Sequence, residues 1–178
     1  MAKVYPKIYL IKGFCNSYYI DDELKILIDA GADFKKPVDL LILTHLHPDH
    51  VFYASKIKER TNCKILIGIN DKDLSILFKH FPTWMGRKIE EFRIDQTLND
   101  GELIKTGSYE LKVLSLPGHT LGSIGLYDKN HQILFSGDVI FPNGLIGRTD
   151  FIHSDDQLMK KTLKMLEKLK IKHLLAGH

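Results

Sequence analysis

The stretch Thr44-His45-Leu46-His47-Pro48-Asp49-His50 places three imidazoles and a carboxylate within seven residues. These are the nitrogen and oxygen donors that divalent transition metals accept. Their spacing has a geometric meaning. His45 and His47 stand two apart at the end of an apolar run, 38–44, that reads as a buried strand, so both rings can face one point. Asp49 and His50 then open a helical pattern, and their side chains diverge toward a neighbouring point. One short loop therefore offers two half-sites rather than a single tetrahedral cage. Three further candidates sit just past expected strands, beside small residues: His119 in Pro117-Gly118-His119-Thr120, Asp138 in Ser136-Gly137-Asp138, and His178 in Ala176-Gly177-His178. Strand-end loops are where layered α/β architectures build their sites, and glycine lets backbone approach closely there. Chance surface histidines would not sort to strand ends in this way. His80, His131, His153 and His173 match no such pattern.

Bringing these loops together requires strands that end at one edge. Residues 7–12 and 16–20 are β-rich and broken by Gly13, and Asp21-Asp22 reads as a hairpin turn into a strand over 24–28. After the run 38–44, residues 49–60 turn helical and 64–67 return to strand. Asn70-Asp71 reads as the cap of a helix over 71–80. Beyond Pro82 the period is two again. Strands are expected over 88–94, 102–105, 109–115, 123–127 and 132–136, with Asn99-Asp100-Gly101, Gly107 and Asp128-Lys129-Asn130 as turns. An amphipathic helix over 154–169 carries Leu158, Thr162, Leu166 and Leu169 on one side and a solvated lysine face on the other. Residues 172–175 read as a last strand. The order β-rich, helix, β-rich, helix predicts two sheets packed together with helices outside.

The chain has 178 residues, 44% of them apolar and 26% charged, which suits one domain over 1–178 with a sizeable core and excludes disordered or collagen-like classes. Its 25 basic residues barely outnumber 22 acidic ones, and 21 of the 25 are lysine. With so little arginine and no basic run, no nucleic-acid partner is expected. Cys15 and Cys63 match no disulfide, metal or redox spacing and read as buried thiols. The N-terminus lacks an apolar signal region and no stretch is long and apolar enough to cross a membrane, so a cytoplasmic protein without a membrane partner is the default. Oligomeric state leaves no signal in the sequence.

The motifs 28–31 (Ile-Asp-Ala-Gly), 45–50, 117–120, 136–138 and 176–178 together resemble the metallo-β-lactamase superfamily, in order and over almost the whole chain. Within it the resemblance is greatest to the glyoxalase II branch, the hydroxyacylglutathione hydrolases. Gly137-Asp138-Val139-Ile140-Phe141 followed by Ile146-Gly147-Arg148-Thr149-Asp150-Phe151 is the more selective part. The resemblance implies an α+β fold, a four-layer αββα sandwich with metals at one edge of the paired sheets. It implies His45, His47 and His119 on a first divalent ion and Asp49, His50 and His178 on a second, with Asp138 bridging. Zinc is the expected metal, with iron or manganese as alternatives. Asp29 would hydrogen-bond the ligand loop and fix its geometry. A hydroxide shared between the ions would attack a small-molecule thioester, with Asp49 aiming it as the catalytic residue. Arg148 would either hold a substrate carboxylate or pair with Asp150.

Two departures bear on these implications. Full-length glyoxalase II enzymes carry a C-terminal helical region that helps bind glutathione, and the chain stops at His178 before any such domain, which leaves the thiol open. Phe52 and Tyr53 stand where the family tends to have glycines, and are expected to pack inside the helix. The alternatives are a one-iron persulfide dioxygenase, a lactonase or other ester hydrolase, and a non-catalytic metal-binding module.

Overall fold

The computed structural model describes residues 1–178, which form fourteen strands and four α-helices. The first half contributes β1 (Ala2–Tyr5), β2 (Ile8–Lys12), β3 (Asn16–Ile20), β4 (Ile26–Ile28), β5 (Leu40–Leu43), α1 (Pro48–Val51), α2 (Ala54–Thr61), β6 (Lys64–Gly68) and α3 (Ser75–His80). The second contributes β7 (Thr83–Trp84), β8 (Arg87–Lys88), β9 (Gln96–Leu98), β10 (Leu103–Lys105), β11 (Glu110–Ser115), β12 (Ile124–Asp128), β13 (Ile133–Gly137), α4 (Asp156–Leu166) and β14 (His173–Ala176). A seven-stranded sheet runs β1-β2-β3-β4-β5-β6-β9, and a five-stranded sheet runs β10-β11-β12-β13-β14. Each sheet is mixed: β4-β5-β6-β9 and β13-β14 pair in parallel, and the remaining neighbours are antiparallel.

Burial explains why the central strands are continuous apolar runs instead of alternating ones. Ile26-Leu27-Ile28 and Leu41-Ile42-Leu43 are buried on both faces, as parallel strands covered on both sides must be. Leu27, Leu41 and Leu43 point into a core shared with Ala54, Ile57 and Leu77 of the helical layer. Ile26, Ile28 and Ile42 point into a core between the sheets, against Leu111, Val113, Leu126 and Phe135. A third core places Met159 and Leu166 of α4 against Leu114, Leu116 and Leu134. Three cores thus separate four layers, which is the αββα sandwich. No helix is long and apolar enough to cross a membrane.

Several local expectations needed correction. Residues 89–95 are not a strand; Ile89, Phe92 and Ile94 pack on the first core without a ladder, and the edge strand is β9, set by pairing Leu66 with Gln96. The helix expected from Asp71 begins at Ser75, because Asp71 lies in a 3₁₀ turn and its side chain points into the protein. In α4 the buried face is Met159, Thr162 and Leu166, and the cap is Asp155, whose side chain accepts the amide of Leu158. The terminal strand β1, not anticipated, pairs with β2.

Asp22 joins the two sheets. Its buried carboxylate accepts from Lys7 Nζ at 2.6 Å, Thr106 Oγ1 at 2.8 Å and the Ser108 amide at 2.6 Å. Burial raises its pKa, but Lys7 and the Ser108 and Thr106 hydrogen bonds outweigh that and hold the carboxyl well below the usual range. A carboxylate whose pKa falls on folding stabilises the fold fully above its unfolded value, near 3.9, and progressively loses that contribution as pH falls through the folded value. Asp22→Ala is therefore expected to cost about 2–3 kcal/mol. In thermal melts the gap to wild type should be constant from pH 5 to 8 and shrink below pH 4; an undiminished gap at pH 3 would refute the network.

Candidate metal centre

Each candidate donor follows a strand whose burial leaves little freedom at its end. His45 and His47 come directly after β5, and Pro48, with its fixed φ, opens α1. The short α1 then presents Asp49 and His50. His119 lies beyond β11, Asp138 follows β13, and His178 follows β14. Residues Gly177 and Gly137 tie the last two loops together, since the Gly177 amide donates to Gly137 O at 2.9 Å. A Cβ at Gly177 would stand 2.1 Å from Asp138 Oδ1 and 2.7 Å from the His50 ring, so no side chain fits between these donors.

The donor atoms fall into two adjoining groups. His45, His47 and His119 form one, and Asp49, His50, Asp138 and His178 the other, with the atoms of each group within 4.8 Å of one another. Asp138 reaches both. Its Oδ1 lies 3.2 Å from His50 Nε2, and its Oδ2 lies 3.4 Å from His178 Nε2 and 3.7 Å from His119 Nε2. Asp49 Oδ2 is 3.1 Å from His178 Nε2.

Hydrogen bonding fixes which ring nitrogen faces inward. His119 Nδ1 donates to the carbonyl of Arg148 at 2.8 Å. His50 Nδ1 donates to Asp29 Oδ2 at 2.8 Å. Thr44 Oγ1 donates to Asp29 and therefore accepts from His45 Nδ1 at 3.1 Å. In all three rings Nε2 is left to the site. Asp29, held at φ +62°, also accepts the Thr44 amide at 2.8 Å, so it orients the ligand loop at two points.

Donor chemistry and electrostatics both fit a pair of cations. His45 Nε2, His50 Nε2, His119 Nε2 and Asp138 Oδ1 are buried without a hydrogen-bond partner, and Trp84 Nε1 is the one other such atom. Each orphan costs about 1–3 kcal/mol unless something ligates it. Burial, reinforced by the neighbouring histidines, drives the pKa of His45 far down and that of His47 to about 3, which keeps these rings neutral with lone pairs available. His119 moves the same way through burial. The second group behaves oppositely. Burial raises the pKa of Asp138, but His50 and His178 overcome it and hold the carboxyl far below its usual range. Hydrogen bonds to Asp138 and Asp49 push His178 up to about 9. The first group therefore offers its lone pairs directly, and in the second a divalent ion would displace the protons that the neighbouring carboxylates draw onto His50 and His178.

Two contributors were not read as part of the site from sequence. Asp71, 8% exposed, accepts Thr120 Oγ1 at 2.8 Å, next to the His119 loop, and a Cβ at Gly122 would meet its carboxyl at 2.4 Å. Its position after β6 was legible; its partner, 49 residues on, was not. Cys15, read as a buried thiol, is buried, and lies with Asp29 and His50 behind the second group. Phe52 and Tyr53 do not lie inside a helix as expected but form the turn that separates α1 from α2, and they pack away from the site: Phe52 stands 5.1 Å from the ring of Phe14, and the Arg87 guanidinium lies 4.8 Å over Phe52.

The donors form the floor of a cavity of about 500 Å³. Phe81, Trp84, Phe141, Ile146 and Phe151 supply its walls. Phe151 lies 5.1 Å from the ring of His47. Arg148 lines the mouth, but both arms of its guanidinium are engaged by Asp150, at 2.9 and 2.7 Å, and it stacks 4.4 Å over Phe151. Of the two expectations for Arg148, this geometry favours pairing within its own loop.

The fold and site have counterparts among known proteins. Residues 33–178 match the family model of the metallo-β-lactamase superfamily. The chain is 32% identical to the hydroxyacylglutathione hydrolase GloC of Haemophilus influenzae, over 92% of this chain and 84% of that protein. It is 28% identical to the human acyl-coenzyme A thioesterase MBLAC2, over 84% of this chain but only 59% of that protein. Among solved structures, TTHA1623 in a di-iron-bound form superposes with a TM-score of 0.78 at 25% identity, covering 96% of this chain and 91% of that one. A sandwich whose strand ends gather seven imidazole and carboxylate donors, with a family match spanning most of the sequence, leads to one conclusion: the chain is a metallo-hydrolase belonging to the metallo-β-lactamase superfamily.

Proposed function

We propose that the chain is a thioesterase of glyoxalase II type that works with two divalent ions. The observation that carries this reading is the reach of Asp138 to both donor groups, which supports their acting as one dinuclear unit. His45, His47 and His119 would hold one ion, Asp49, His50 and His178 the other, and Asp138 both. Such ions supply a water acidified to near-neutral pKa and a Lewis acid for the thioester carbonyl. The second group supports this reading over a one-iron oxygenase, which has no use for Asp49, His50 and His178 together.

The chain's own residues do the rest. Asp49, with Oδ2 turned to His178, leaves its other oxygen to accept the hydrogen of the attacking water and aim it. Asp29 and Thr44 keep His50 and His45 from rotating. A substrate seated between the aromatic walls would displace water from above the donors, which strengthens the charge interactions there. Attack on the carbonyl expels the thiolate, which takes up a proton, and the products are a carboxylate and a thiol. A thiolate leaves readily and needs no strong protein acid, which suits a floor with no proton donor other than histidine.

Elemental analysis of protein purified without added metal, followed by a panel of thioesters, lactones and phosphodiesters, tests the proposal. About two zinc, iron or manganese ions per chain with thioester turnover support it. A single iron with oxygen-dependent persulfide turnover would replace it, and a metal-replete protein silent on the panel would overturn it. Because Asp150 occupies the Arg148 fork, Arg148→Ala is expected to change KM for a neutral and an anionic thioester equally, within about twofold. A KM that rises tenfold only for the anionic substrate would give Arg148 the carboxylate instead.

A further inference from the structure

Above the donor floor the cavity changes character. Its walls come from two separate segments: Phe81 and Trp84 from the excursion between β6 and β9, and Phe141, Ile146 and Phe151 from the connection between β13 and α4. Ile146 in this wall is 44% exposed, and the chain neighbours of wall residues, Leu145 beside Ile146, Met85 beside Trp84 and Ile152 beside Phe151, are 63%, 73% and 56% exposed. An apolar patch continuous with a reactive floor marks a place where something apolar docks. The only lining cation other than histidine is Arg148, and Asp150 holds its fork. The lining therefore offers no unpaired lysine or arginine to the carboxylates or phosphates of a polar thiol, and five apolar side chains to a hydrocarbon.

We propose that this rim is an acyl-chain subsite, so that the preferred substrates are thioesters of apolar acyl groups several carbons long rather than short hydroxyacyl groups. The inference rests on the thioesterase reading above, but the subsite can be measured without turnover. Trp84 is the only tryptophan in the chain and stands in the wall, so its fluorescence reports on the pocket alone.

The experiment has two arms on the metal-loaded protein. In the first, S-alkyl-N-acetylcysteamine thioethers from ethyl to octyl, which cannot be hydrolysed, are titrated against Trp84 fluorescence. In the second, the matching S-acyl thioesters from acetyl to octanoyl, with S-lactoylglutathione beside them, are assayed for kcat/KM. Both affinity and kcat/KM are expected to rise about threefold per methylene. The octanoyl-to-acetyl ratio is expected to fall at least tenfold in Ile146→Asp and in Phe81→Ser, two variants on different segments. Sedimentation of the same samples gives the oligomeric state.

The outcomes separate. Chain-length-dependent binding with no turnover of any thioester keeps the subsite and overturns the thioesterase reading. Turnover that is flat with chain length, together with flat binding, overturns the subsite and leaves the thioesterase. A flat response in a protein that Leu145→Asp converts from dimer to monomer assigns the rim to a second copy of the chain, which also overturns the subsite.

Discussion

Asp49→Ala is expected to lower kcat by about a thousandfold or more while thioester KM changes little, because a group that aims the attacking water acts in the transition state and not in ground-state binding. Asp49 is partly buried, and its Oδ2 lies 3.1 Å from His178 Nε2 and 3.7 Å from His50 Nε2. Removing it also takes one oxygen donor from the second group. Metal content must therefore be measured with the rate: the other six donors, His50 and His178 of the second group among them, remain, and elemental analysis gives the residual occupancy. Asp49→Asn keeps one oxygen donor and the shape but loses the charge. If orientation of water is the role, Asn should restore metal content more than it restores kcat. A variant with full metal content and near-wild-type rate would sink the assignment.

The second large effect concerns Asp138, whose carboxylate approaches histidines of both donor groups. Asp138→Ala is expected to reduce bound metal from about two ions per chain to one or fewer, and kcat/KM by at least about a thousandfold. The three-histidine group keeps its neutral rings, so an ion retained there is the expected residue of binding. The second group loses the carboxylate that faces His50 and His178, and those rings then confront each other with only Asp49 between them. Elemental analysis after desalting reads the stoichiometry, and a thermal melt of the metal-free variant shows whether the fold has survived. A folded Asp138→Ala protein that still carries two ions would show that the two groups act independently.

Both predictions concern residues named from sequence, and the reason they could be named is local. The candidate donors all lie in the short stretches that follow a strand, Asp138 and His178 within two residues of its end and His50 the farthest along, and a strand end is recognisable wherever an apolar run meets glycine or proline, as at Gly118, Gly137 and Gly177. The two-residue spacing of His45 and His47 and the Pro48 helix start are determined by chain geometry over a few bonds, so one loop had to point toward two places. The strands β2, β3, β5, β11 and β13 were legible for the same reason, since burial imprints a period on each of them separately. Where burial came without a ladder, as at Ile89, Phe92 and Ile94, the same period was misleading.

Folding decided what depends on through-space partners. Nothing near Asp71 in the chain indicates that its carboxyl will meet Thr120, and nothing near Cys15 places it behind His50. Asp29 was suspected only from its motif; its hold on both Thr44 and His50 depends on β4 and β5 lying side by side. The aromatic walls show the point most clearly. Phe81, Trp84, Phe141 and Phe151 look like ordinary core residues one at a time, because hydrophobicity is non-directional and carries no address. Their convergence over the donor floor comes from the stacking of two sheets, and it is that convergence which turns a set of donors into a pocket. Sequence alone thus determined the donors and their order along the chain, while tertiary structure decided their partners and the shape of what they can reach, because donor chemistry is a property of single residues and enclosure is a property of distant segments meeting.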